Sequence, residues 1–376
     1  MIPSAVNDGI FMAEALQLAA RGLYTTEPNP RVGCVIVRDN EVVGRGFHAF
    51  AGGPHAEIEA LQEAGERAKG ATVYVTLEPC AHHGKTPPCV EALLRAKVAR
   101  VVAAMVDPNP LVGGKGLAQL EAAGIATKSG LMAAEAAALN PGFISRMTRQ
   151  RPWVRVKLAA SLDGRTAMAS GESQWITGEA ARADVHRLRA RSSVILTGIG
   201  TVLKDDPQLT VRLSSQDLGI DVDVPQPIRI VLDRQGQLAA NARLFCDETG
   251  PVWVVTAQTA AASLREKLPE HVRIQVLPER EGHLDLAALW TWLAEEQVNE
   301  VMVESGPKLS GALLEGGWID ECVIYLAPCL MGVDARGLFD LGIGLMSERR
   351  PVQINDIRRV GTDWRLRCSF PSNQNV

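Results

Sequence analysis

The 376-residue chain is 46% apolar and 22% charged, with a formal net charge of −4. That composition excludes a disordered, collagen-like or coiled-coil chain, and the slightly acidic balance supplies no overall basic field for holding nucleic acid. No apolar run approaches the roughly 18 residues of a membrane helix, and Met1-Ile2-Pro3-Ser4-Ala5-Val6-Asn7-Asp8 lacks the regions of a signal peptide, so a soluble cytoplasmic protein of two domains is expected.

The first ~145 residues alternate helical and strand patterns. Phe11, Met12, Ala15, Leu16 and Ala19 lie at helical spacing behind a candidate cap at Asn7 or Asp8. Strands are predicted at 32–37 and near Val42, joined by an Asp39-Asn40 turn. A Gly-rich stretch, 44–53, leads to Pro54, where a helix over 56–68 can begin. A strand at 72–76, a loop at 77–88, a helix at 89–97 and a strand at 100–106 follow. A helix near 117–123 and a short strand at 125–128 close the series. The polar, basic run Ser145-Arg146-Met147-Thr148-Arg149-Gln150-Arg151-Pro152 is expected to be a linker.

A new alternating series begins with a strand at 153–160. Further strands are predicted at 194–197, 228–232, 252–256, 272–276, 301–303 and 323–326. Helices are predicted at 179–190, 286–296 and 308–315, and 213–225 is expected to be a surface loop.

The seven cysteines are odd in number, and most sit inside apolar runs, as buried cysteines do in a reducing compartment. Cys80 and Cys89 differ, since they lie on a polar, proline-rich loop. Together with His55-Ala56-Glu57 they form the strongest constellation in the chain. One His and two Cys suit zinc, and three protein ligands leave a fourth position for water. Glu57, at a helix start, can reach that water without ligating the metal and can move its proton. The arrangement matches the first half of the nucleobase-deaminase pattern H-x-E … P-C-x-x-C, but eight residues rather than two separate Cys80 from Cys89.

No G-x-G-x-x-G follows the strand at 153–160, so a standard Rossmann site is not supported. Two strand-to-turn junctions have the composition of anion sites: Thr197-Gly198-Ile199-Gly200-Thr201 and Glu304-Ser305-Gly306-Pro307-Lys308-Leu309-Ser310-Gly311-Ala312. In the second, helix-start N–H groups beside small residues suit a pyrophosphate, although Gly turns after strands often serve geometry alone. Two rival readings remain open here. One is a nucleoside or tRNA deaminase joined to an unrelated module, against which the long Cys80–Cys89 loop argues. The other is a zinc-stabilised binding protein, against which Glu57 argues.

Asn29-Pro30-Arg31-Val32-Gly33, His55-Ala56-Glu57, the run Thr76-Leu77-Glu78-Pro79-Cys80-Ala81-His82-His83-Gly84-Lys85-Thr86-Pro87-Pro88-Cys89, and Asp107-Pro108-Asn109-Pro110 closely resemble the bifunctional riboflavin-biosynthesis deaminase/reductase family. The blocks Lys157-Leu158-Ala159-Ala160-Ser161-Leu162-Asp163-Gly164-Arg165, Ser173-Gln174-Trp175-Ile176-Thr177 and Asp205-Asp206-Pro207-Gln208-Leu209-Thr210-Val211-Arg212 extend the resemblance over nearly the whole chain. The eight-residue insert is characteristic of that family. The resemblance implies an α/β protein of two domains. A cytidine-deaminase-like α/β/α layer domain over 1–147 would carry the zinc-dependent deaminase, and a dihydrofolate-reductase-like domain over 148–376 the NADPH-dependent reductase. The implied substrate is a phosphoribosylamino-pyrimidinone, which is deaminated and then reduced at its ribose, and a homo-oligomer is implied as well.

By the same resemblance His55, Cys80 and Cys89 ligate zinc and Glu57 shuttles protons. His82 and Lys85 would supply donors to the substrate phosphate. Asn29, His48, Asp107 and Asn109 would hold base and ribose, with turn formation as the competing role for Asp107 and Asn109. Ala159, Trp175, Thr201, Asp205 and the Gly306–Ala312 turn (Gly306, Pro307, Lys308, Leu309, Ser310, Gly311 and Ala312) would contact NADPH. Ser173, Arg189, Leu209, Arg212 and Glu304 would face the ribotide, with Arg189 and Arg212 suited to its phosphate. For Asp205 a capping role competes, for Trp175 core packing, and for Lys157, a candidate charged donor, a solvated strand position. Arg234 could bind the 2′-phosphate of NADPH or stand as a surface charge.

Overall fold

The computed structural model describes residues 5–82, 87–110, 112–246 and 250–371. The chain divides into two compact units, Met1–Arg151 and Pro152–Val376.

The first unit runs α1 (Ala5–Ala20), β1 (Gly33–Arg38), β2 (Glu41–Phe47), α2 (Ala56–Ala64), β3 (Thr72–Val75), α3 (Cys89–Ala96), β4 (Arg100–Ala103), α4 (Lys115–Ala122), β5 (Ala126–Ser129), α5 (Ala133–Leu139) and α6 (Pro141–Arg149). Its sheet among the described residues has five strands in the order β2-β1-β3-β4-β5. The β1–β2 and β1–β3 pairs are antiparallel, whereas β3, β4 and β5 are parallel. Asp39 and Asn40 both take the left-handed backbone that a tight hairpin turn needs (φ 50° and 65°). Phe11, Met12, Ala15 and Leu16 of α1 pack on one side of the sheet, and Ala56, Ala60 and Ala64 of α2 belong to the core on the other.

Two glycines inside β2 explain how closely α2 is seated. A Cβ on Gly44 or Gly46 would lie 2.2 Å from the carbonyl oxygen of Ala60 or Ala56, respectively.

Two expectations need correcting here. Asp8 is not a helix cap: it lies within α1, buried, where it accepts bonds from the Tyr74 hydroxyl (2.7 Å) and both Arg100 terminal nitrogens (2.9 and 2.8 Å). A charged partner satisfies the carboxylate better than a helix amide. Most of the supposed linker at 145–152 is helix α6, which ends at Gln150 in a left-handed cap (φ 54°).

The second unit runs β6 (Trp153–Ser161), β7 (Arg165–Ala167), α7 (Glu179–Ala190), β8 (Val194–Gly198), α8 (Ile199–Asp205), α9 (Ser215–Leu218), β9 (Ile228–Leu232), β10 (Val252–Thr256), α10 (Gln258–Lys267), β11 (Arg273–Val276), β12 (Glu279–Arg280), β13 (His283–Leu284), α11 (Leu286–Glu295), β14 (Glu300–Glu304), α12 (Pro307–Glu315), β15 (Glu321–Ala327), β16 (Arg336–Gly337), β17 (Gln353–Val360) and β18 (Asp363–Ser369). A sheet of nine strands among the described residues has the order β11-β10-β9-β8-β14-β6-β15-β18-β17. The first seven strands of that order are mutually parallel, and β18 and β17 complete it antiparallel. Parallel strands are covered on both faces, which is why β8, β9, β10 and β14 read as near-continuous apolar runs. The expected loop at 213–225 contains the short helix α9, opened by a reciprocal Ser214–Asp217 capping box.

Candidate active sites

The first site lies where the C-terminal end of β3 meets the starts of α2 and α3. His55 is the N-cap of α2, Cys89 is the first residue of α3, and Cys80 ends the segment leaving β3. Their ligating atoms lie within 4.8 Å of one another. Nδ1 of His55 stands 3.2 Å from Cys89 Sγ and 3.6 Å from Cys80 Sγ, and the Cys89 backbone N–H donates to Cys80 Sγ at 3.3 Å. A helix-start amide aimed at a sulfur favours thiolate.

The neighbouring Cys89 sulfur, helped by His55 and opposed by burial, holds the Cys80 thiol well below the ordinary thiol range. The Cys80 sulfur and burial in turn push Cys89 upward. One nitrogen and two soft sulfurs converging at this spacing fit zinc, and a three-residue set leaves a coordination position open. Glu57 is 3% exposed on the first turn of α2. Burial pushes its carboxyl up to about 7 against the pull of His55, and a cation on the three ligands would draw it back toward the ionised form.

His48 and Asn29 stand beside the ligands. The His48 and His55 rings meet edge to face at 5.7 Å. His48 Nδ1 donates to the Pro54 carbonyl (2.9 Å), so its Nε2 is left to accept from Asn29 Nδ2 (3.0 Å). Burial lowers the His48 pKa, against the bond to the Pro54 carbonyl. Asp107 Oδ1 accepts the Asn109 N–H at 2.8 Å, so the turn foreseen for this pair is formed. Burial raises the Asp107 pKa, opposed by the bond from the Asn109 N–H and assisted by the nearby Glu78 carboxylate. His82 is exposed, and Lys85 lies outside the described residues.

In the second unit the C-terminal ends of β6, β8, β9 and β14 share one edge of the sheet, where α/β sheets bind ligands. Strand β8 runs through Gly198 directly into α8, a helix the sequence reading missed, with Thr201 in its first turn. Strand β14 ends at Glu304 and α12 opens with Gly306 as N-cap and Pro307 at its first position. Glycine leaves the first amides of α12 clear of any side-chain cap. A Cβ on Gly311 would lie 2.1 Å from the Asp340 carbonyl, so α12 is seated closely on that segment. Leu309 and Ser310 turn inward, whereas Lys308 and Ala312 are exposed. Ala159 lies on β6.

The structure differs from several competing readings. Trp175 is 69% exposed, with the Arg182 guanidinium 4.8 Å over its ring, so it is not core packing. Asp205 ends α8 and accepts from the Ser173 hydroxyl at 3.3 Å, so it is not an N-cap. The Lys157 side chain is 18% exposed and lies 4.0 Å from Glu304, so it is not a solvated strand residue. Arg234 follows β9 and pairs with Glu279 at 2.9 Å on the surface.

The most developed electrostatic feature is the Arg189–Glu304 pair. Arg189 donates to both Glu304 oxygens (2.6 and 3.0 Å) and to the Thr210 carbonyl (2.9 Å). Burial pushes the Glu304 carboxyl up, but Arg189 and Lys157 more than offset it and hold the group at about 2. Arg189 is therefore already engaged, whereas the side chain of Arg212 is exposed. His186, which the sequence reading missed, accepts the Arg212 N–H (3.3 Å). Burial and the neighbouring arginines hold it at about 4, so it is neutral. Leu209 is 2% exposed and takes a left-handed backbone (φ 58°), an uncommon conformation for a bulky residue.

Comparison with known proteins identifies the domains that contain these two candidate sites. Residues 152–366, more than half of the chain, match the RibD C-terminal domain, and residues 6–105 match the cytidine and deoxycytidylate deaminase zinc-binding region. The chain belongs to the RibD family. It is 52% identical over 364 residues to riboflavin biosynthesis protein RibD of Escherichia coli K12, covering 95% of this chain and 98% of that protein. Solved structures match nearly the whole chain. RibD of Acinetobacter baumannii does so at TM-score 0.88 and 45% identity, covering 98% of this chain and 100% of that one. A Thermotoga maritima protein matches at TM-score 0.86 and 33% identity, covering 97% and 99%. That protein is described as a diaminohydroxyphosphoribosylaminopyrimidine deaminase/5-amino-6-(5-phosphoribosylamino)uracil reductase.

Like its family, the chain is a bifunctional deaminase and reductase of riboflavin biosynthesis that acts on a small pyrimidine. Its first unit is a zinc-binding deaminase domain, and its second is a RibD reductase domain, which uses NADPH. Among the described residues no helix is long and apolar enough to cross a membrane.

Proposed function

We propose that the chain hydrolyses the 2-amino group of 2,5-diamino-6-(5-phosphoribosylamino)pyrimidin-4(3H)-one and then reduces the ribosyl group of the resulting 5-amino-6-(5-phosphoribosylamino)uracil to ribityl. The observation that carries this reading is the convergence of His55, Cys80 and Cys89 beside buried Glu57, in the same chain as a RibD reductase domain. When bound, zinc supplies a Lewis acid that makes water nucleophilic near neutral pH. Glu57 takes one proton from the attacking water and passes it to the ring nitrogen, then carries the second proton, from the added hydroxyl, to the departing amine, which leaves as ammonia as the carbonyl forms. Asn29, His48, Asp107 and Asn109 hold base and ribose, and His82 and Lys85 reach the phosphate. The fixed Nδ1–H tautomer of His48 supports this role, because it orients the Asn29 amide.

In the second unit NADPH supplies hydride. Ala159, Trp175, Thr201, Asp205 and residues 306–312 contact the cofactor, with the open amides of α12 on its pyrophosphate and Arg234 on its 2′-phosphate. Ser173, Leu209, Glu304 and Arg212 face the ribotide, with Arg212 on its phosphate. Arg189 orients Glu304, and Lys157 brings a donor to the reacting sugar.

We assign the reaction to the cytoplasm, where the thiols that ligate zinc stay reduced. The net charge of −4 supports a small-molecule substrate over nucleic acid. The chain is proposed to form a homo-oligomer. Exposed Ile354, Ile357 and Trp364 share, by strand register, the face of β17 and β18 whose Cys368 and Leu366 join the core, so a second copy could continue that packing.

The test is absorbance at 340 nm with purified protein, NADPH and the diaminopyrimidinone ribotide. Substrate-dependent loss of NADPH accompanied by ammonia release is expected. Ammonia release without NADPH loss would overturn the reductase assignment.

A further inference from the structure

Neither reaction described above uses the carboxylate of Glu78. This side chain is buried on the segment between β3 and the ligand Cys80. Its Oε2 accepts the backbone N–H groups of Asp107 (3.0 Å) and Gly114 (2.8 Å), and its Oε1 those of Gly116 (2.8 Å) and Leu117 (3.2 Å). All four amides belong to the stretch 107–117, which begins with Asp107 and Asn109 and ends in the first turn of α4. The fit depends on glycine. A Cβ on Gly116 would lie 2.1 Å from the Pro79 carbonyl oxygen and 3.1 Å from Glu78 Oε1, and one on Gly113 would lie 2.6 Å from the Asp107 carbonyl oxygen. Gly114 takes a left-handed backbone (φ 80°). One carboxylate thus ties both ends of the stretch to the segment that carries a metal ligand.

We propose that Glu78 is a positioning residue of the deaminase, fixing Asp107 and Asn109 where they meet the substrate held over His55, Cys80 and Cys89. This rests on the reading of Asp107 and Asn109 as substrate-holding groups. The chemistry calls for a carboxylate, because each oxygen faces two N–H donors. In Glu78→Gln one oxygen becomes an NH2 group that faces two donors and accepts from neither. Glu78→Asp keeps both acceptors on a shorter arm.

The test uses the full-length zinc enzyme and measures deaminase KM and kcat, zinc content, and NADPH oxidation with the deaminated ribotide. Glu78→Gln is expected to raise the deaminase KM about tenfold, the cost of roughly one misplaced hydrogen-bonding group. Its kcat should change less, with one zinc per chain and reduction unaltered, and Glu78→Asp should recover most of the KM. A wild-type KM in Glu78→Gln would overturn the inference, as would loss of zinc or a fall in kcat alone. If Glu78→Gln does not fold, Glu78→Asp carries the comparison through its shorter arm: a KM raised by a smaller factor at nearly unchanged kcat is expected, and a wild-type KM would refute positioning. Asn109→Ala separates the two layers of the argument. A raised KM there beside an unchanged Glu78→Gln sinks only the positioning role, whereas an unchanged KM in Asn109→Ala sinks the substrate reading and this inference with it.

Discussion

The Glu304→Gln substitution tests whether the charged pair at the end of β14 organises the reductase site. Glu304 sits at about 2 because Arg189 and Lys157 outweigh the burial that pushes it up. Lowering a carboxyl from its ordinary 4.5 to about 2 corresponds to about 3 kcal/mol of folded-state stability. The folded pKa is depressed, so this contribution is complete above the unfolded value near 4.5 and is lost as pH falls toward 2. Removing the charge also leaves Arg189 and Lys157 as uncompensated cations, so a loss of about 3–5 kcal/mol is expected at pH 7. The gap between wild type and Glu304→Gln should narrow by about 1–2 kcal/mol between pH 7 and pH 3.5.

All seven tryptophans lie at residue 153 or beyond, so tryptophan fluorescence in urea reports on the reductase unit alone. A difference between the two proteins that stays constant from pH 7 to pH 3.5 would refute the electrostatic reasoning, because it would trace the loss to shape rather than to ionised Glu304.

Glu57→Gln should retain zinc and lose deamination by several orders of magnitude while still reducing deaminated ribotide, measured as ammonia release and NADPH loss on the same preparation. Chelation of wild type should reproduce that pattern, and parallel loss of both activities would contradict two independent sites. Asn140→Ala should destabilise the first unit by about 2–4 kcal/mol. The reason is that the Asn140 side chain accepts the Arg31 N–H (2.7 Å) and donates to the Arg31 carbonyl (2.9 Å) in a buried setting. Thermal inactivation of deamination, with reduction as the internal control, measures this loss. Arg234→Ala should lower the preference for NADPH over NADH, read as the ratio of kcat/KM values, and an unchanged ratio would leave Arg234 as the surface partner of Glu279.

The parallel strands were legible because each is buried on both faces and reads as an apolar run: 228–232 and 252–256 match their predicted ends. Strands β17 and β18 were not. Most of β17 is exposed, and its sequence, Gln353-Ile354-Asn355-Asp356-Ile357-Arg358-Arg359-Val360, has neither a continuous apolar run nor a clean alternation. A bulge between Ile354 and Asp356 disrupts the period of two on which such a reading depends. Helix α6 was mistaken for a linker because exposed Thr148 and Arg149, half-buried Arg146 and the capping Gln150 make its last turn polar, and a short polar helix has the composition of a connection.

A similar division runs through the two sites. The cluster of His55, Cys80 and Cys89 beside Glu57 was legible as a candidate site because few residue types can bind zinc or carry its proton traffic, so their identities narrow the chemistry before any geometry is known. Glu78, Asn140 and the Glu304–Arg189 pairing act differently. Glu78 and Asn140 bind backbone groups, which every sequence offers at every position, and they do so 29 to 109 residues away along the chain. Spacing carries no trace of such contacts. The available trace is the glycine run Gly113-Gly114-Lys115-Gly116, whose members permit a close approach whose partner only the fold reveals. Arg189 and Glu304 were both assigned to the ribotide from resemblance, yet 115 residues of separation hid that each is the other's bidentate partner. Residue type thus exposes groups that do chemistry on a ligand, whereas groups that aim those residues emerge only once the sheet has brought their elements together.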